Sequence, residues 1–322
     1  LGYRGVSIPE HHVINILMIP SPLQMAVKLS GLTTNIEFVT SVVVLPIHDM
    51  RVFAGEVVQA DMLCDNRLVL GVGRGAFAYE TGRLGTPLDI TQRKFNESLS
   101  VLQALLSEEE VSWDGEFYKF DPLTIMPRPT RTIPLMLAVI TPEGIYHCAK
   151  QGYHIQTTPL GTSHDRLLAQ VGAFHRGKAE AGEKGDGMRI ALQRGLYAAR
   201  DEAEAKEKIA YAHEFYKRFD NVFTGPGIVN RGMIEPLPRN QTAEELGSNL
   251  VICPPAEMID RLAAYQEVGI DEMILSSNFG QPQAETLDMM QRFAEEVMPH
   301  FTPKTRSKDL SRVEKRTLVN QP

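Results

Sequence analysis

Glu10-His11-His12 is the first group along the chain able to move protons, and it closes a short apolar run, Arg4–Ile8. An imidazole titrates at about pH 6.5, so a histidine placed there suits acid–base work near neutrality. His11 is the candidate acid–base residue. Two histidines on one metal ion is the competing use, but adjacent residues of an extended chain point to opposite sides. No HxH or HExxH pattern occurs in the sequence, so no metal site is assigned. The second candidate is Gly71-Val-Gly73-Arg74-Gly75-Ala76. It matches the dinucleotide fingerprint G-x-G-x-x-A, which requires a helix to begin at its last positions. Phe77–Gly82, with Gly85 and Pro87 close behind, reads as a poor helix. The glycines instead describe a tight loop whose backbone approaches a ligand, with the Arg74 fork suited to phosphate. Thr141-Pro142-Glu143-Gly144 opens a helical stretch that runs to Gln151. A threonine cap beside free amides is a second anion site, and the two loops together could grip one phosphate.

Such groups need strands to present them. Strands are expected at Arg4–Ile8, Ile36–Leu45, Arg67–Val72, Ile133–Val139, Tyr153–Thr157, Met188–Ala198 and Asp271–Ser276. Most are continuous apolar runs, as in a parallel sheet covered on both faces. Amphipathic helices are expected between them. Thr91–Leu106 carries the stripe Phe95, Leu99, Leu102 and Leu106; Pro255–Val268 and Gln283–Met298 behave alike, the last through Leu287, Met290, Phe293 and Val297. The alternation predicts an α/β fold: a (β/α)8 TIM barrel with its first strand–helix unit missing from this chain, because seven units are legible. Leu1-Gly2-Tyr3 reads as the end of a helix feeding the first visible strand. The competing architecture is an open doubly wound sheet. In a barrel the reactive groups sit at the carboxyl ends of strands, which is where Glu10–His12, Thr40-Ser41, Gly71–Gly75, Thr141–Gly144, Thr157-Thr158 and Ser276–Asn278 fall. The barrel domain spans 1–301. Phe215–Leu250, rich in glycine and proline, is expected to be a lid-like insertion, and 302–322 a polar, basic tail.

Composition narrows the partners. Hydrophobic residues make up 43% and charged residues 23%, as in a soluble globular protein. A net charge of −7 argues against nucleic acid. The longest apolar stretches, such as Ile36–Ile47, fall short of the ~20 residues that span a bilayer, so no membrane is expected. No signal peptide opens the chain, and Cys64, Cys148 and Cys253 lie far apart without a CxxC pair. Reduced thiols and a cytoplasmic location are the expectation.

With these residues in view, the sequence resembles the bacterial luciferase-like flavin monooxygenases over roughly residues 1–301. The matching stretches are Gly2-Tyr3 leading to Glu10-His11-His12, Ser21-Pro22-Leu23, Ser41-Val-Val-Val-Leu45-Pro46 and Asn66-Arg67 through Gly75. Gly115-Glu116-Phe117-Tyr118, Met126-Pro127-Arg128-Pro129 and Phe279-Gly280 through Pro299 follow in order. The resemblance implies a barrel that binds flavin, usually FMN, at its carboxyl-terminal mouth. There the reduced flavin, supplied by a separate reductase, reacts with O2 to a flavin hydroperoxide that oxygenates an organic substrate. It implies that His11 does acid–base chemistry beside the flavin and that the Ser41–Val42 peptide, often cis, lies against the ring. It further implies Arg74 on the phosphate, the Ala76 amide near the ring within the Gly73–Ala76 loop, and Thr141 on the phosphate. Gly144 stands where many members have a second hydroxyl, which leaves its backbone amide. Gly73 occupies the position of a reactive cysteine in luciferase itself, which argues against light emission from an aldehyde. An apolar lip (Val13, Ile14, Ile16, Leu17, Met18 and Phe77) fits a reactive peroxide kept from water, and the lack of a basic cluster points to a mostly apolar organic substrate. The alternatives are a deazaflavin-dependent oxidoreductase on the same fold and a flavin-binding protein without catalysis. A homodimer is expected, through Met25–Leu32 and Phe53–Leu63.

Overall fold

The computed structural model describes residues 1–301; the tail expected at 302–322 lies outside the described residues. The first half is built from β1 (Gly5–Ile8), α1 (Pro22–Ser30), β2 (Glu37–Thr40), β3 (Val43–Val44), α2 (Met50–Leu63) and β4 (Leu68–Gly73). Two helices and a hairpin follow: α3 (Ala78–Arg83), α4 (Leu88–Ser107), β5 (Val111–Asp114) and β6 (Lys119–Leu123). The alternation resumes with β7 (Leu135–Ala138), α5 (Pro142–Lys150), β8 (His154–Thr157), α6 (His164–Glu180), β9 (Ile190–Ala198) and α7 (Glu202–Phe223). A hairpin of β10 (Val229–Asn230) and β11 (Met233–Ile234) leads to α8 (Ala243–Asn249), β12 (Val251–Cys253), α9 (Pro255–Glu267), β13 (Glu272–Ser276) and α10 (Gln283–Arg292).

Nine strands form one curled sheet in the order β1-β2-β4-β7-β8-β9-β12, with β3 on β4 and β13 on β9, every pair parallel. The fold is therefore α/β and barrel-like, not doubly wound. Among the described residues β1 and β13 do not pair; Arg4 spans the seam instead, reaching Glu272 at 2.6 Å and Glu37 at 3.1 Å. The main core lies between sheet and helices, where Phe38, Leu68, Leu70 and Leu102 are fully buried. Each contributes about 1.5–3 kcal/mol by leaving water. A smaller cluster of Val69, Met136 and Ala191, with Val39 and Ile274 against it, plugs the barrel interior. It sits below the carboxyl ends of the strands and leaves the space above it for smaller side chains.

Several sequence expectations change. Residues 1–4 are not helical. The single strand expected at Ile36–Leu45 is split between Thr40 and Val43. Phe77–Gly82 is not merely loop: α3 occupies Ala78–Arg83, held by its contacts with α4 and α7. Within Phe215–Leu250, α7 continues to Phe223 and the β10–β11 hairpin and α8 follow. The β5–β6 hairpin and β12 carried no periodic signal; β12 exists because Val251–Cys253 registers against Leu196–Ala198 of the long β9. In the last helix the stripe shifts: Leu287 is 56% exposed while Met289 is buried, and the helix becomes a π turn over Phe293–Val297. The three cysteines are free thiols, and burial pushes each pKa up, that of Cys253 to about 11. No helix among the described residues is long and apolar enough to cross a membrane.

Candidate active site

β1 delivers Glu10, His11 and His12 at its carboxyl end, and the three side chains separate. His11 Nδ1 lies 3.1 Å from Glu80 Oε2, and the His12 amide donates to Glu80 Oε1. An ionised carboxylate only accepts, so the neutral imidazole carries its proton on Nδ1 and keeps an Nε2 lone pair. Glu80 is only 3% exposed, and Phe77 lies flat on the His11 ring at 4.7 Å. The imidazole is thus fixed in tautomer and in plane. His12 turns the other way, to Glu10, whose Oε1 receives His12 Nε2 and His48 Nε2, each at 2.8 Å. Glu10 Oε2 accepts the Val44 amide at 2.6 Å, and Ser41 N donates to Ile8 O at 2.7 Å. These bonds hold the Ser41–Val44 segment beside the end of β1. Burial pushes the Glu10 carboxyl up, but the hydrogen bond and charge of His48, then the Val44 amide and His12, outweigh it and leave the pKa below the usual value.

The Ser41–Val42 peptide bond is cis. Ser41 Oγ is buried without a hydrogen-bond partner. Next to it, β4 carries Val69 of the interior plug, and alternation puts Gly71 and Gly73 on that same face above it. A Cβ on Gly71 would stand 1.9 Å from Thr40 O, and one on Gly73 2.7 Å from Val42 Cγ2. Glycine is required there because the two strand ends pass so closely. That is the physical reason a cysteine has no room at Gly73 without displacing Val42. Gln156, which pairs with Ala191 of the plug, turns its amide to Thr40 O at 3.1 Å and completes a polar floor.

Beyond Gly73 the chain turns at Gly75, φ +79°, where a Cβ would meet Thr81 and Val44 at 2.8 Å. Arg74 is exposed in this turn and has no ion-pair or hydrogen-bond partner among the described residues. Ala76 is half-buried against the Phe77 cluster. On the neighbouring strand β7, Thr141 caps α5, its Oγ1 accepting the Gly144 amide at 3.3 Å. A side chain on Gly144 would crowd Thr141 Oγ1 at 2.9 Å and Val139 at 2.7 Å, so glycine here keeps the cap tight. Val72 pairs with Leu137, so the Arg74 turn and the α5 start follow adjacent strand ends. His11, Ser41, Val42, Gly73, Arg74, Gly75, Ala76, Thr141 and Gly144 all stand at the carboxyl ends of β1, β2, β4 and β7. Glu80, Glu10 and His48 complete the group; Glu80 and His48 were not singled out from the sequence, and Glu10 was read there only as part of Glu10-His11-His12. A lone acid within Ala76-Phe77-Ala78-Tyr79-Glu80 was the available signal.

A family model described as luciferase-like monooxygenase matches residues 1–272. The chain belongs to the luciferase-like monooxygenase family. It is accordingly an oxidoreductase. Among luciferase-like relatives, the oxygenase component of a flavin-dependent trigonelline monooxygenase from Acinetobacter baylyi is 27% identical, covering 94% of this chain and 86% of that one. An F420-dependent glucose-6-phosphate dehydrogenase from Beutenbergia cavernae is 25% identical, covering 80% of this chain and 76% of that one. The fold matches the oxygenating constituent of 3,6-diketocamphane monooxygenase from Pseudomonas putida, solved with FMN, with a TM-score of 0.76 at 17% identity, covering 94% of this chain and 89% of that one.

Proposed function

We propose that this chain is the oxygenase of an FMN-dependent monooxygenase, which uses reduced FMN and O2 to oxygenate a small, mostly apolar organic substrate. The observation that carries the reading is the arrangement of His11, Ser41, Arg74 and Thr141 around one barrel mouth. The residues fit a flavin mononucleotide. Arg74 is a free guanidinium beside the capped start of α5, a pair suited to a phosphate dianion. The Ser41 hydroxyl is buried and unpartnered, and Gly71 and Gly73 bring backbone, not side chain, to the interior above the plug. Bound reduced flavin supplies the electrons that activate O2. The chain's own groups do the rest. His11 Nε2 accepts or returns a proton while Glu80 holds the ring in place. Phe77, Ile14 and Ile16, all buried, keep water from the imidazole. The trigonelline relative is named an oxygenase component, which supports a separate reductase as the source of reduced flavin. A cytoplasmic location belongs to the same reading.

Anaerobic titration with reduced FMN, followed by rapid mixing with oxygen, tests it. Reduced FMN is expected to bind, and Arg74→Ala to weaken it about tenfold or more through the lost charge-assisted bonds. Absorbance after oxygen is expected to return to the oxidised form in two resolved phases. Binding with a single phase, as in free solution, would leave a flavin carrier; binding of a reduced deazaflavin in place of FMN would make the chain a hydride-transfer enzyme.

A further inference from the structure

One face of α7 carries Phe215, Phe219 and Phe223 at four-residue steps. Their rings form a ladder, Phe215 on Phe219 at 6.1 Å and Phe219 on Phe223 at 5.2 Å, with interplanar angles of 24° and 23°. At one end Phe215 meets Phe279 edge-on at 6.2 Å, just past the carboxyl end of β13. At the other, Phe219 and Phe223 meet Phe77 edge-on at 5.7 and 6.2 Å, just past the carboxyl end of β4. Phe77 in turn lies flat on His11. The rings make an arc along the barrel mouth that ends on the proton-transfer residue of the proposed site.

Burial along the arc is uneven. Phe77 and Phe279 are 5% and 6% exposed, while the three ladder rings are only half-buried. By comparison Phe53 and Phe174 of the main core are 2% exposed or less. Among the described residues no Lys or Arg sits over any of the five rings. Tyr216 packs edge-on against Phe215 and Phe219 and holds the Arg239 guanidinium over its own ring; the ring surface that stays exposed, linked to His11 through Phe77, suits another neutral ring. We propose that this arc is the substrate subsite and that the substrate is a neutral, planar aromatic compound whose ring packs on the Phe215–Phe219–Phe223 ladder. The proposal rests on the mouth being the flavin site and adds the substrate class to it. An aliphatic molecule of equal size gains the same burial but not the ring–ring term, which is worth about tenfold in affinity.

The test is calorimetric titration of the full chain with 4-ethylphenol and with 4-ethylcyclohexanol, once with oxidised FMN bound and once without. The phenol is expected to bind about tenfold tighter than its saturated counterpart. Phe219→Leu, and independently Phe215→Leu, should bring the two within about twofold of each other while FMN affinity is unchanged. Equal affinity in the native chain, no binding of either probe, or a preference that survives both leucine variants overturns the aromatic subsite. Failure of FMN to bind while the phenol preference persists would instead remove the flavin reading and leave the subsite standing.

Discussion

A carboxylate with three donors and almost no access to water sits at the centre of the mouth. Glu10 is 2% exposed and accepts from His12, His48 and the Val44 amide, so it ties the ends of β1 and β3 to the turn before α2. Its folded pKa lies below the ordinary value. The stabilisation is therefore complete above the unfolded carboxylate pKa of about 4.3 and is lost as pH falls through the lower folded value. Glu10→Gln should cost on the order of 2 kcal/mol at pH 7 and leave a shallower fall in melting temperature on acidification. Melts at stepped pH check this; identical acid slopes for both proteins would show that Glu10 does not carry it. This role was not legible in Glu10-His11-His12, which suggested only that two neighbouring imidazoles diverge. Val44 and His48 lie 34 and 38 residues from Glu10, and Glu80 lies 69 from His11; only the fold brings them together.

At the scale of elements, the start of α5 carries a helix cap and, in the proposed reading, a phosphate contact in one residue. Thr141 satisfies the Gly144 amide as the helix cap and stands at the strand end beside Arg74. Thr141→Ala should cost about 1 kcal/mol of stability and weaken reduced FMN, whereas Thr141→Ser should restore both. Melting and titration of the two variants separate the cap from the phosphate contact: a cap alone would lower stability and leave FMN affinity untouched. The cap was readable from Thr141-Pro142-Glu143-Gly144 because N-caps are local. α3 was not readable, because Ala78–Arg83 is a weak helix former with glycine inside it and is held by its neighbours. The same holds for β12, three residues whose strand character comes from the register of β9.

For the whole molecule, part of the exposed apolar surface lies on two helices that pack together. Met25 on α1 and Val52, Met62 and Leu63 on α2 are 37% to 62% exposed, with Leu32 just beyond α1 at 70%. Phe53, named in the expected dimer face, instead points into the core at 2% exposure. We propose that this face is a subunit contact, because exposed apolar side chains on packed helices suit one. We expect a homodimer in sedimentation velocity, converted to monomer by Val52→Glu with Leu63→Glu. A monomer at every concentration in the native chain would reject it.

What the sequence determined by itself is local or periodic. Continuous apolar runs gave parallel strands, three- and four-residue stripes gave helices, and glycine and threonine loops marked the carboxyl ends of the strands. Those signals survive because burial on both faces and helix capping act on neighbouring residues. Tertiary structure alone decided that Glu80 faces His11, that Val42 leaves Gly73 no side chain, and that three phenylalanines of α7 line up with Phe77. Each is a contact between distant segments, set by sheet register and helix packing, for which the spacing along the chain holds no periodic trace.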